Sequence, residues 1–438
     1  MKKPLVAIVG RPNVGKSTLF NRIVKRRTAI VEDYSGLTRD RNYATASWHD
    51  HSFLLVDTGG IIPEAREEML AEIHKQAMLA VEEADLVLFM LDGGTGAIQA
   101  DIDLARELRL SEKPVIHVVN KVDGPKQEAA IADFYSLAPN ELIPLSALHG
   151  RGLSELLDKI TGSIPKAAAT SAPETDYPKV AVVGKPNSGK STLINSLTGK
   201  ERLIVSPVAG TTRDAIDTEC VYHDRTYLFI DTAGLRKKSR IDISVEYYSM
   251  IRTLKTIDRA DVALIMIDAA EGFTDQDQKI AGIVHDAGKG AVIILNKWDL
   301  TEKTEKHLKQ LTQKIRNSAW FLKHAPVLSI SALTRQRTTK IFRLIDRVIK
   351  EHRKRISTAG LNEFTAKVRA EKAPPLYRGA AVRIKYITQI KTSPPGFVLF
   401  ANRPKGLTPA YLRFLERRIR EEFGFEGTPI RFFIKKKE

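Results

Sequence analysis

The chain has 438 residues, enough for roughly three domains, and its 43% hydrophobic and 28% charged residues are ordinary for a globular protein. A formal net charge of +17 at pH 7 favours an acidic polymer or surface as partner, with general solubility as the alternative explanation. A single cysteine, Cys220, excludes an intramolecular disulfide, and the apolar run after Lys2 and Lys3 is too short for a signal peptide or membrane span, so we expect a cytoplasmic protein.

The first predicted element is the short apolar strand PLVAIV (4–9), which runs directly into the glycine-rich loop GRPNVGKST (10–18). The backbone N–H groups of such a loop cradle phosphate oxygens, so glycine is needed where the backbone approaches the ligand closely. Its lysine is predicted to reach the β- and γ-phosphates, and its serine to bind Mg²⁺ at the start of the next helix. The phosphate-binding residues predicted in this loop are Gly10, Gly15, Lys16, Ser17 and Thr18.

A second loop of the same pattern follows KVAVV (179–183), 174 residues further along the chain. Its predicted phosphate-binding residues are Gly184, Gly189, Lys190, Ser191 and Thr192. Five more motifs repeat in the same order, and the paired ranges are 35–40 with 209–214, 57–60 with 231–234, 85–92 with 261–268, 120–123 with 296–299, and 146–148 with 331–333. The offset grows from 174 to 176 and then to 185, and such insertions belong in loops or at helix ends. The pattern indicates a duplicated domain.

Two motifs after each phosphate loop predict a metal site. The threonine of SGLTRD or AGTTRD lies in a loop, where threonine is more often structural, but its place ahead of a strand-end aspartate favours a role in the Mg²⁺ shell and in sensing the γ-phosphate. The aspartate of DTGG or DTAG ends an apolar run and resembles the second carboxylate on the Mg²⁺ side. The residues predicted here are Thr38, Asp57, Gly60, Thr212, Asp231 and Gly234, and the metal ligands predicted are Ser17, Thr38, Asp57, Ser191, Thr212 and Asp231.

The motifs NKVD (120–123) and NKWD (296–299) predict which base is bound. A carboxylate can accept hydrogen bonds from the N1–H and 2-amino groups of guanine, and it would stay unpaired opposite adenine, so such a site discriminates by about 10⁴–10⁵. The asparagine is predicted to brace the loop, the lysine to stack along the base, and the alanine of each SAL turn to reach guanine O6 through its N–H. The base-site residues predicted in this way are Asn120, Lys121, Asp123, Ser146, Ala147, Asn296, Lys297, Asp299, Ser331 and Ala332.

Strands and helices alternate in both copies. Each continuous apolar run ends where a motif begins, and helical stretches such as PEAREEMLAEIHKQAMLAVEEA (63–84) separate the runs. This alternation predicts a mostly parallel sheet with helices on both faces. The ligand of such a sheet binds at the carboxyl ends of its strands, where all the motifs fall.

A third region without a phosphate loop follows the second copy. Residues 355–438 contain 18 Lys+Arg and 7 Asp+Glu, a net charge of +11, and the predicted order of elements is αββαβ. The aromatic side chains interleaved with this charge occupy strand or helix-start positions, so we expect most of them to pack in the core and assign phosphate contacts to Lys and Arg. These aromatic residues are Tyr386, Phe397, Phe400 and Tyr411.

The two sets of motifs resemble those of the translation-factor-like GTPases over nearly the whole of residues 1–350, and the entire chain is similar to the EngA family, also called Der, the double-Era GTPases of bacterial ribosome assembly. The resemblance implies GTP or GDP with Mg²⁺ at both sites, GTP hydrolysis, a KH-like third domain and binding to the large ribosomal subunit. The fold class expected is α/β: two tandem P-loop GTPase domains plus a small α+β KH-like C-terminal domain. The boundaries predicted are 1–162 for the first GTPase domain, 163–178 for a linker, 179–352 for the second GTPase domain and 353–438 for the basic domain.

Two departures from related proteins affect the mechanism and the RNA contact. Ile61 and Leu235 occupy the position at which Ras-like GTPases carry a water-orienting glutamine, so neither site can use that arrangement. In related potassium-activated GTPases the asparagine of the phosphate loop binds K⁺, and Asn13 and Asn187 match it; bracing of the loop is the alternative.

The third region has no GxxG loop, so docking on another protein surface is an alternative to RNA binding. The catalytic residues predicted are Lys16, Thr38, Lys190, Thr212, Asn13 and Asn187.

The predicted function is GTP binding and hydrolysis in assembly of the large ribosomal subunit, with nucleotide-dependent contact to rRNA or ribosomal particles. We expect a monomer away from the ribosome and no membrane partner. A GTP-sensing RNA-binding scaffold with one active copy is the alternative, whereas the missing hydrophobic anchor disfavours a membrane-remodelling GTPase. The basic segment 236–240 is a second candidate RNA surface.

Overall fold

A computed structural model describes residues 3–26, 43–59, 77–124, 127–128, 131–137, 141–164, 177–198, 205–209, 216–232 and 245–436. These residues form two compact units: the first holds the N-terminal sheet, its helices and residues 245–255, and the second holds the other two sheets. No helix in the described part of the chain is both long and apolar enough to cross a membrane. The predictions that lie outside the described residues concern Thr38, Gly60, Ile61, Thr212, Gly234, Leu235 and the segment 236–240.

The sheet of the first unit has six strands, namely β1 (Leu5–Val9), β2 (Tyr43–Trp48), β3 (His51–Asp57), β4 (Leu86–Asp92), β5 (Val115–Asn120) and β6 (Leu142–Pro144). Their order is β2-β3-β1-β4-β5-β6, and every neighbouring pair is parallel except β2 with β3. The helices whose bounds lie within the described residues are α1 (Lys16–Arg26), α2 (Gln99–Leu110) and α3 (Leu153–Ser163), and residues 77–83 are also helical. Val6 and Ile8 pack in the core with α1 and α3, whereas Leu5 packs in the core with α2, because successive strand side chains point to opposite faces.

The second sheet has seven strands, namely β7 (Lys179–Val183), β8 (Val205–Ala209), β9 (Ile216–Tyr222), β10 (Arg225–Phe229), β11 (Val262–Asp268), β12 (Gly290–Asn296) and β13 (Val327–Ser329). Their order is β13-β12-β11-β7-β10-β9-β8, with antiparallel pairing only at β8–β9 and β9–β10. The helices of this copy are α4 (Lys190–Thr198), α5 (Val245–Arg259), α6 (Asp275–Asp286), α7 (Glu305–Ser318) and α8 (Lys340–His352). Strand β8 was not predicted; its Pro207 is compatible with a strand because β8 is an edge, where a missing N–H breaks no ladder.

The larger insertion in the second copy forms a helix. Between β12 and β13 the chain forms α7, which has 14 residues, whereas the corresponding part of the first copy forms a 3₁₀ turn at Ile131–Leu137. Leu311 and Ile315 are buried on α7, which contacts the 3₁₀ turn Trp320–Leu322, and the helix begins with a capping bond from the His307 N–H to Thr304 Oγ1 of 3.2 Å. Helix α7 therefore lies in the interval in which the offset between NKWD and SAL changes by nine residues.

The C-terminal region has the predicted αββαβ order, which is confirmed. Its elements are α9 (Thr358–Glu371), β14 (Ile384–Thr392), β15 (Pro395–Ala401), α10 (Pro409–Phe423) and β16 (Arg431–Lys436). Strand β15 lies in the centre, antiparallel to β14 and parallel to β16. Of the four aromatic residues, most of which were expected in the core, Phe397 and Tyr411 are buried there, but Tyr386 and Phe400 are half-buried and stack on each other with centroids 4.3 Å apart.

Within the second unit, the C-terminal region docks on the second sheet through its last turn. The Gly427 N–H donates to the His324 carbonyl at 2.8 Å, and the Ala291 N–H of β12 donates to the Gly427 carbonyl at 2.7 Å. One residue further, Thr428 Oγ1 lies 2.6 Å from His352 Nδ1 at the end of α8. Burial lowers the pKa of His352 to about 4, so this imidazole is neutral at pH 7. The C-terminal region is therefore docked on the second sheet of the same chain, and RNA binding by this region stays a prediction.

The only cysteine lies inside the second sheet. Cys220 on β9 is buried in a core that also contains Tyr227 and Phe229. Burial raises the pKa of its thiol to about 11, which leaves little thiolate at neutral pH.

Candidate functional site

Both phosphate loops lie between a buried strand and a helix. The first joins β1 to α1, and the second joins β7 to α4. Strands β1 and β7 are central in their sheets, so the loops lie at the carboxyl ends of parallel strands, next to the ends of β4 and β11. This is the edge of an open α/β sheet at which ligands bind.

The loop lysines are held over the loop by its own carbonyl groups. Lys16 Nζ donates to the carbonyls of Gly10 at 2.8 Å and Arg11 at 2.7 Å. Lys190 Nζ donates to the equivalent carbonyls of Gly184 and Lys185, both at 2.7 Å. Burial lowers the pKa of each ammonium to about 8, while Asp57 opposes this shift at Lys16 and Asp277 opposes it at Lys190. An anion at the loop would raise the pKa of these lysines again, because it would favour the ammonium form.

Glycine is required at the last position before each lysine. Gly15 and Gly189 have φ of +98° and +92°, which side chains rarely tolerate. A methyl group at either position would overlap the side-chain amide of Asn120 or Asn296. The phosphate loop and the NKxD loop therefore touch at these glycines.

The asparagines of NKVD and NKWD brace this contact. Asn120 Nδ2 donates to the Val14 carbonyl at 2.8 Å, and the Ala147 N–H donates to Asn120 Oδ1 at 2.9 Å. In the second copy, Asn296 joins Ser188 and Ala332 through the same two bonds, both at 2.9 Å. The bracing role expected of the asparagines is thus present in the structure. The alanine N–H groups expected to reach guanine O6 already donate to asparagine, so any contact with the base would share that donor.

Two aspartates that the sequence reasoning did not select hold the lysines of the same motifs. Lys121 Nζ lies 2.6 Å from Asp92 Oδ2, and Lys297 Nζ lies 2.6 Å from Asp268 Oδ2. Burial would raise the pKa of the Asp268 carboxyl, but the hydrogen bonds from Lys297 and from the Ala270 N–H outweigh it and hold the pKa below its ordinary value. The repeat itself carried a signal, since both aspartates end the matched runs at 85–92 and 261–268.

The carboxylates predicted to bind guanine lie beside these loops. Asp299 is partly buried, and its Oδ1 is buried without a hydrogen-bond partner among the described residues. A buried acceptor without a donor is costly, so this atom suits a ligand that supplies N–H groups. Asp123, its counterpart in the first copy, is exposed.

The residues predicted to bind Mg²⁺ are arranged differently in the two copies. Ser17 Oγ donates to Asp57 Oδ2 at 2.6 Å, which places two hard oxygen atoms side by side, as Mg²⁺ prefers. Asp57 is the last residue of β3, as predicted. Asp231, in contrast, lies two residues beyond the end of β10 with φ of +53°, and its Oδ2 accepts from Thr256 Oγ1 at 3.3 Å. The prediction that this aspartate ends its strand is wrong, since the strand pairing stops at Phe229.

The loop asparagines have a backbone reason for their identity. Asn13 and Asn187 have φ of +65° and +61°, in the left-handed region that asparagine tolerates better than most residues. This conformation accounts for asparagine by itself, and it leaves K⁺ binding and loop bracing as the two alternatives.

Comparisons with known proteins agree with the duplicated organisation. A family model described as a 50S ribosome-binding GTPase matches residues 5–121 and again residues 179–297. A second family model, described as the KH-domain-like C-terminal region of EngA bacterial GTPase enzymes, matches residues 355–435.

Full-length relatives show the same order of domains. GTPase Der of Geotalea uraniireducens is 46% identical over 436 residues, which cover 100% of this chain and 99% of that protein. GTPase Der of Lachnospira eligens is 47% identical over 439 residues, and that of Caldanaerobacter subterraneus subsp. tengcongensis is 48% identical over 438 residues, with the same coverage. The chain therefore belongs to the Der (EngA) family of GTPases, with two tandem guanine-nucleotide-binding GTPase domains and a KH-like C-terminal domain.

Proposed function

We propose that both GTPase domains bind and hydrolyse GTP with Mg²⁺, and that the protein acts in assembly of the large ribosomal subunit by contacting rRNA in a nucleotide-dependent way. The nucleotide part rests on the contacts of Asn120 and Asn296, which occur in both copies. Each asparagine belongs to the NKxD loop, which we call the base loop, and joins this loop to the phosphate loop and to the SAL turn by hydrogen bonds of 2.8–2.9 Å. The ribosomal part is supported by the match to the family described as 50S ribosome-binding GTPases.

In this proposal the protein supplies position and charge. Lys16 and Lys190 place an ammonium at the β- and γ-phosphates and stabilise the charge that develops during phosphoryl transfer. Asp123 and Asp299 select guanine by accepting its two N–H donors. Mg²⁺, when bound, neutralises phosphate charge and orients the γ-phosphate. Ser17 and Asp57 would hold it in the first copy, and Ser191 with Asp231 would do so in the second.

A potassium ion beside the phosphates is part of the proposal because neither copy carries the water-orienting glutamine. Asn13 and Asn187 would be its ligands, and Thr38 and Thr212 would complete the Mg²⁺ shell and sense the γ-phosphate. A monovalent cation at that place would supply part of the positive charge that an arginine finger supplies elsewhere.

The rRNA contact is assigned to a defined part of the KH-like domain, which we name the basic rim: Arg378, Arg383, Arg403 and Lys405. All four side chains are exposed, and none takes part in an ion pair among the described residues. Mutual bonds between residues 383 and 402 bring the two halves of the rim together: the Arg383 N–H donates to Asn402 Oδ1 at 2.8 Å, and the Asn402 N–H donates to the Arg383 carbonyl at 3.2 Å.

Much of the remaining positive charge of this domain is neutralised internally. Arg418 Nε lies 2.8 Å from Glu371, Arg420 Nη2 lies 2.7 Å from Glu416, and Lys367 pairs with Glu422. Helix α10 itself holds four Arg and three Glu, a net charge of +1, so the rim is the better candidate for phosphate contacts.

Calorimetry tests the nucleotide part. We expect two guanine nucleotides per chain, no ATP binding, and loss of one site in each of Asp123→Asn and Asp299→Asn. A single site in the parent chain would contradict the proposal for both copies. Single-turnover hydrolysis in the same two variants distinguishes two active copies from the alternative, a scaffold in which one copy binds GTP without hydrolysing it.

Binding to large ribosomal subunits tests the RNA part. Replacing the four rim residues with alanine should weaken binding and reduce the log–log salt slope by about 0.7–0.9 for each phosphate that the protein no longer neutralises. A matched control removes the same charge from the exposed face of α7, at Lys306, Lys309, Lys314 and Arg316. If the control lowers affinity and slope while the rim variant does not, the RNA-facing surface lies on the second GTPase domain.

A further inference from the structure

A fully buried carboxylate lies on the helix that follows β4, and its counterpart lies on the helix that follows β11. Asp101 is in the first turn of α2 and Asp277 in the first turn of α6, and both are 0% exposed. They are separated by 176 residues, the offset of the neighbouring motifs, so they are equivalent positions of the duplicated domain. The Oδ1 atom of each is without a hydrogen-bond partner among the described residues.

The cation that faces each carboxylate is the second residue of the phosphate loop. Arg11 Nε lies 3.4 Å from Asp101 Oδ2, and Lys185 Nζ lies 3.9 Å from Asp277 Oδ2. The cations are also largely removed from water, with 18% and 7% of their side chains exposed. Burial raises the pKa of both carboxyls, and the nearby cation opposes this shift in each copy, so each member of the pair favours the ionised form of the other.

The same loop residue touches the lysine that is predicted to bind phosphate. The carbonyl of Arg11 accepts from Lys16 Nζ, and the carbonyl of Lys185 accepts from Lys190 Nζ, both at 2.7 Å. A continuous set of contacts therefore runs from the buried carboxylate, through the basic residue, to the ammonium group. A shift of the basic residue would move the carbonyl that orients this ammonium.

We propose that Asp101 and Asp277 are positioning residues, which hold each phosphate loop in its ligand-binding shape through the basic residue at its second position. The inference rests on the nucleotide function proposed above and adds two residues to it. The aspartates also stabilise their helices: Asp277 Oδ2 accepts from the Thr274 N–H at 3.0 Å and from Thr274 Oγ1 at 2.7 Å. The test must therefore separate helix capping from loop anchoring.

The two copies differ in the second carboxylate that the loop cation meets. Arg11 Nη2 also lies 3.9 Å from Asp92, which holds Lys121 of the base loop, so one carboxylate serves both loops in the first copy. Lys185 Nζ instead lies 2.6 Å from Glu271, whose side chain is 58% exposed. In the second copy the other carboxylate near the loop cation is exposed and does not hold the lysine of the NKWD motif, so Asp277 can be tested there without disturbing that lysine.

The first variant is Asp277→Asn in the full chain, in which Asp123→Asn also removes guanine-nucleotide binding at the first site. Asparagine keeps an oxygen for the two bonds from Thr274 but removes the charge. We expect the Kd for GDP and GTP and the KM for GTP to rise roughly tenfold, with the preference for GTP over ATP unchanged because Asp299 is untouched. Asp275→Asn, an exposed aspartate in the same helical turn, is the matched control and should leave all of these values at the parent level.

A double-mutant cycle with Lys185 makes the test specific to the pair. Lys185→Met should reproduce the loss, the double variant should be no weaker than either single variant, and Lys185→Arg should restore most of the affinity. Each variant should unfold at the same midpoint temperature as the parent chain, which would confirm that its second GTPase domain is folded. Parent-level affinity in Asp277→Asn, or losses that multiply in the double variant, would overturn the inference. Failure of the Asp123→Asn parent to bind GTP at all would instead contradict the proposed nucleotide function.

Discussion

Replacement of Gly427 by alanine should undock the KH-like domain from the second GTPase domain. Gly427 has φ of +72°. Its N–H donates to the His324 carbonyl at 2.8 Å, and its carbonyl accepts from the Ala291 N–H of β12 at 2.7 Å. A methyl group at this position would overlap the side chain of Val348 on α8, with Cγ1 at 3.0 Å. The substitution therefore strains the backbone of this turn and also pushes the KH-like domain away from α8 of the second GTPase domain.

The magnitude can be estimated from these contacts. Alanine in the left-handed region costs about 1–2 kcal/mol, and each of the two hydrogen bonds contributes about 1 kcal/mol, so the free energy of unfolding should fall by roughly 3–4 kcal/mol. Gly379 provides a matched control, because its φ is also +72° but an added methyl group would have no atom within 4 Å. Gly379→Ala should cost only the backbone term, about 1–2 kcal/mol.

Denaturant unfolding of the full chain, followed by circular dichroism, measures both losses. Gly427→Ala should show the larger loss and an earlier transition of the C-terminal domain in limited proteolysis. Equal losses in the two variants would refute the reasoning, because the contact with Val348 and the two bonds would then contribute nothing. The contact also argues against truncation at residue 355 as a test of RNA binding, since truncation would uncover a buried face of the second GTPase domain.

Three further measurements follow from the geometry. Burial lowers the folded-state pKa of His352 to about 4, against about 6.5 in the unfolded chain. The free energy of unfolding should therefore be constant above pH 6.5 and fall by about 3 kcal/mol between pH 6.5 and pH 4. Denaturant titrations of His352→Gln should show a flatter pH dependence. GTP hydrolysis should rise when K⁺ replaces Na⁺ at equal ionic strength, and equal rates would remove K⁺ from the mechanism. Asp92→Asn should weaken GDP binding at the first site by roughly three- to tenfold through Lys121, and an unchanged Kd would show that their 2.6 Å contact is dispensable.

The repeated motifs predicted the sheets and the position of the candidate sites because the motif chemistry and the strand ends coincide. GKST after an apolar run, for example, can only be a strand, a phosphate loop and a helix start, and the structure has β1, the loop and α1 there. The αββαβ order of the C-terminal domain was predictable for the same local reason, since helical and strand periods alternate between turns.

What the sequence did not reveal depends on contacts between distant residues. Asp101 and Asp277 looked like ordinary polar positions on helices, and only the fold brings them to Arg11 and Lys185. Likewise, nothing in the turn around Gly427 indicates that its backbone would bond to β12. The edge strand β8 was missed because it contains a proline, a residue depleted in strands, and only its place at the edge makes that tolerable.

The buried thiol of Cys220 makes this chain convenient for spectroscopic labelling. A thiol with a pKa raised to about 11 and no exposure reacts slowly with maleimides at pH 7, so the natural chain should remain unlabelled in its folded state. One cysteine introduced on the exposed part of α2 and another beside the basic rim would then carry the only dyes. Energy transfer between them would report in real time whether the first GTPase domain and the KH-like domain change their separation when GTP is replaced by GDP, with the native cysteine left in place.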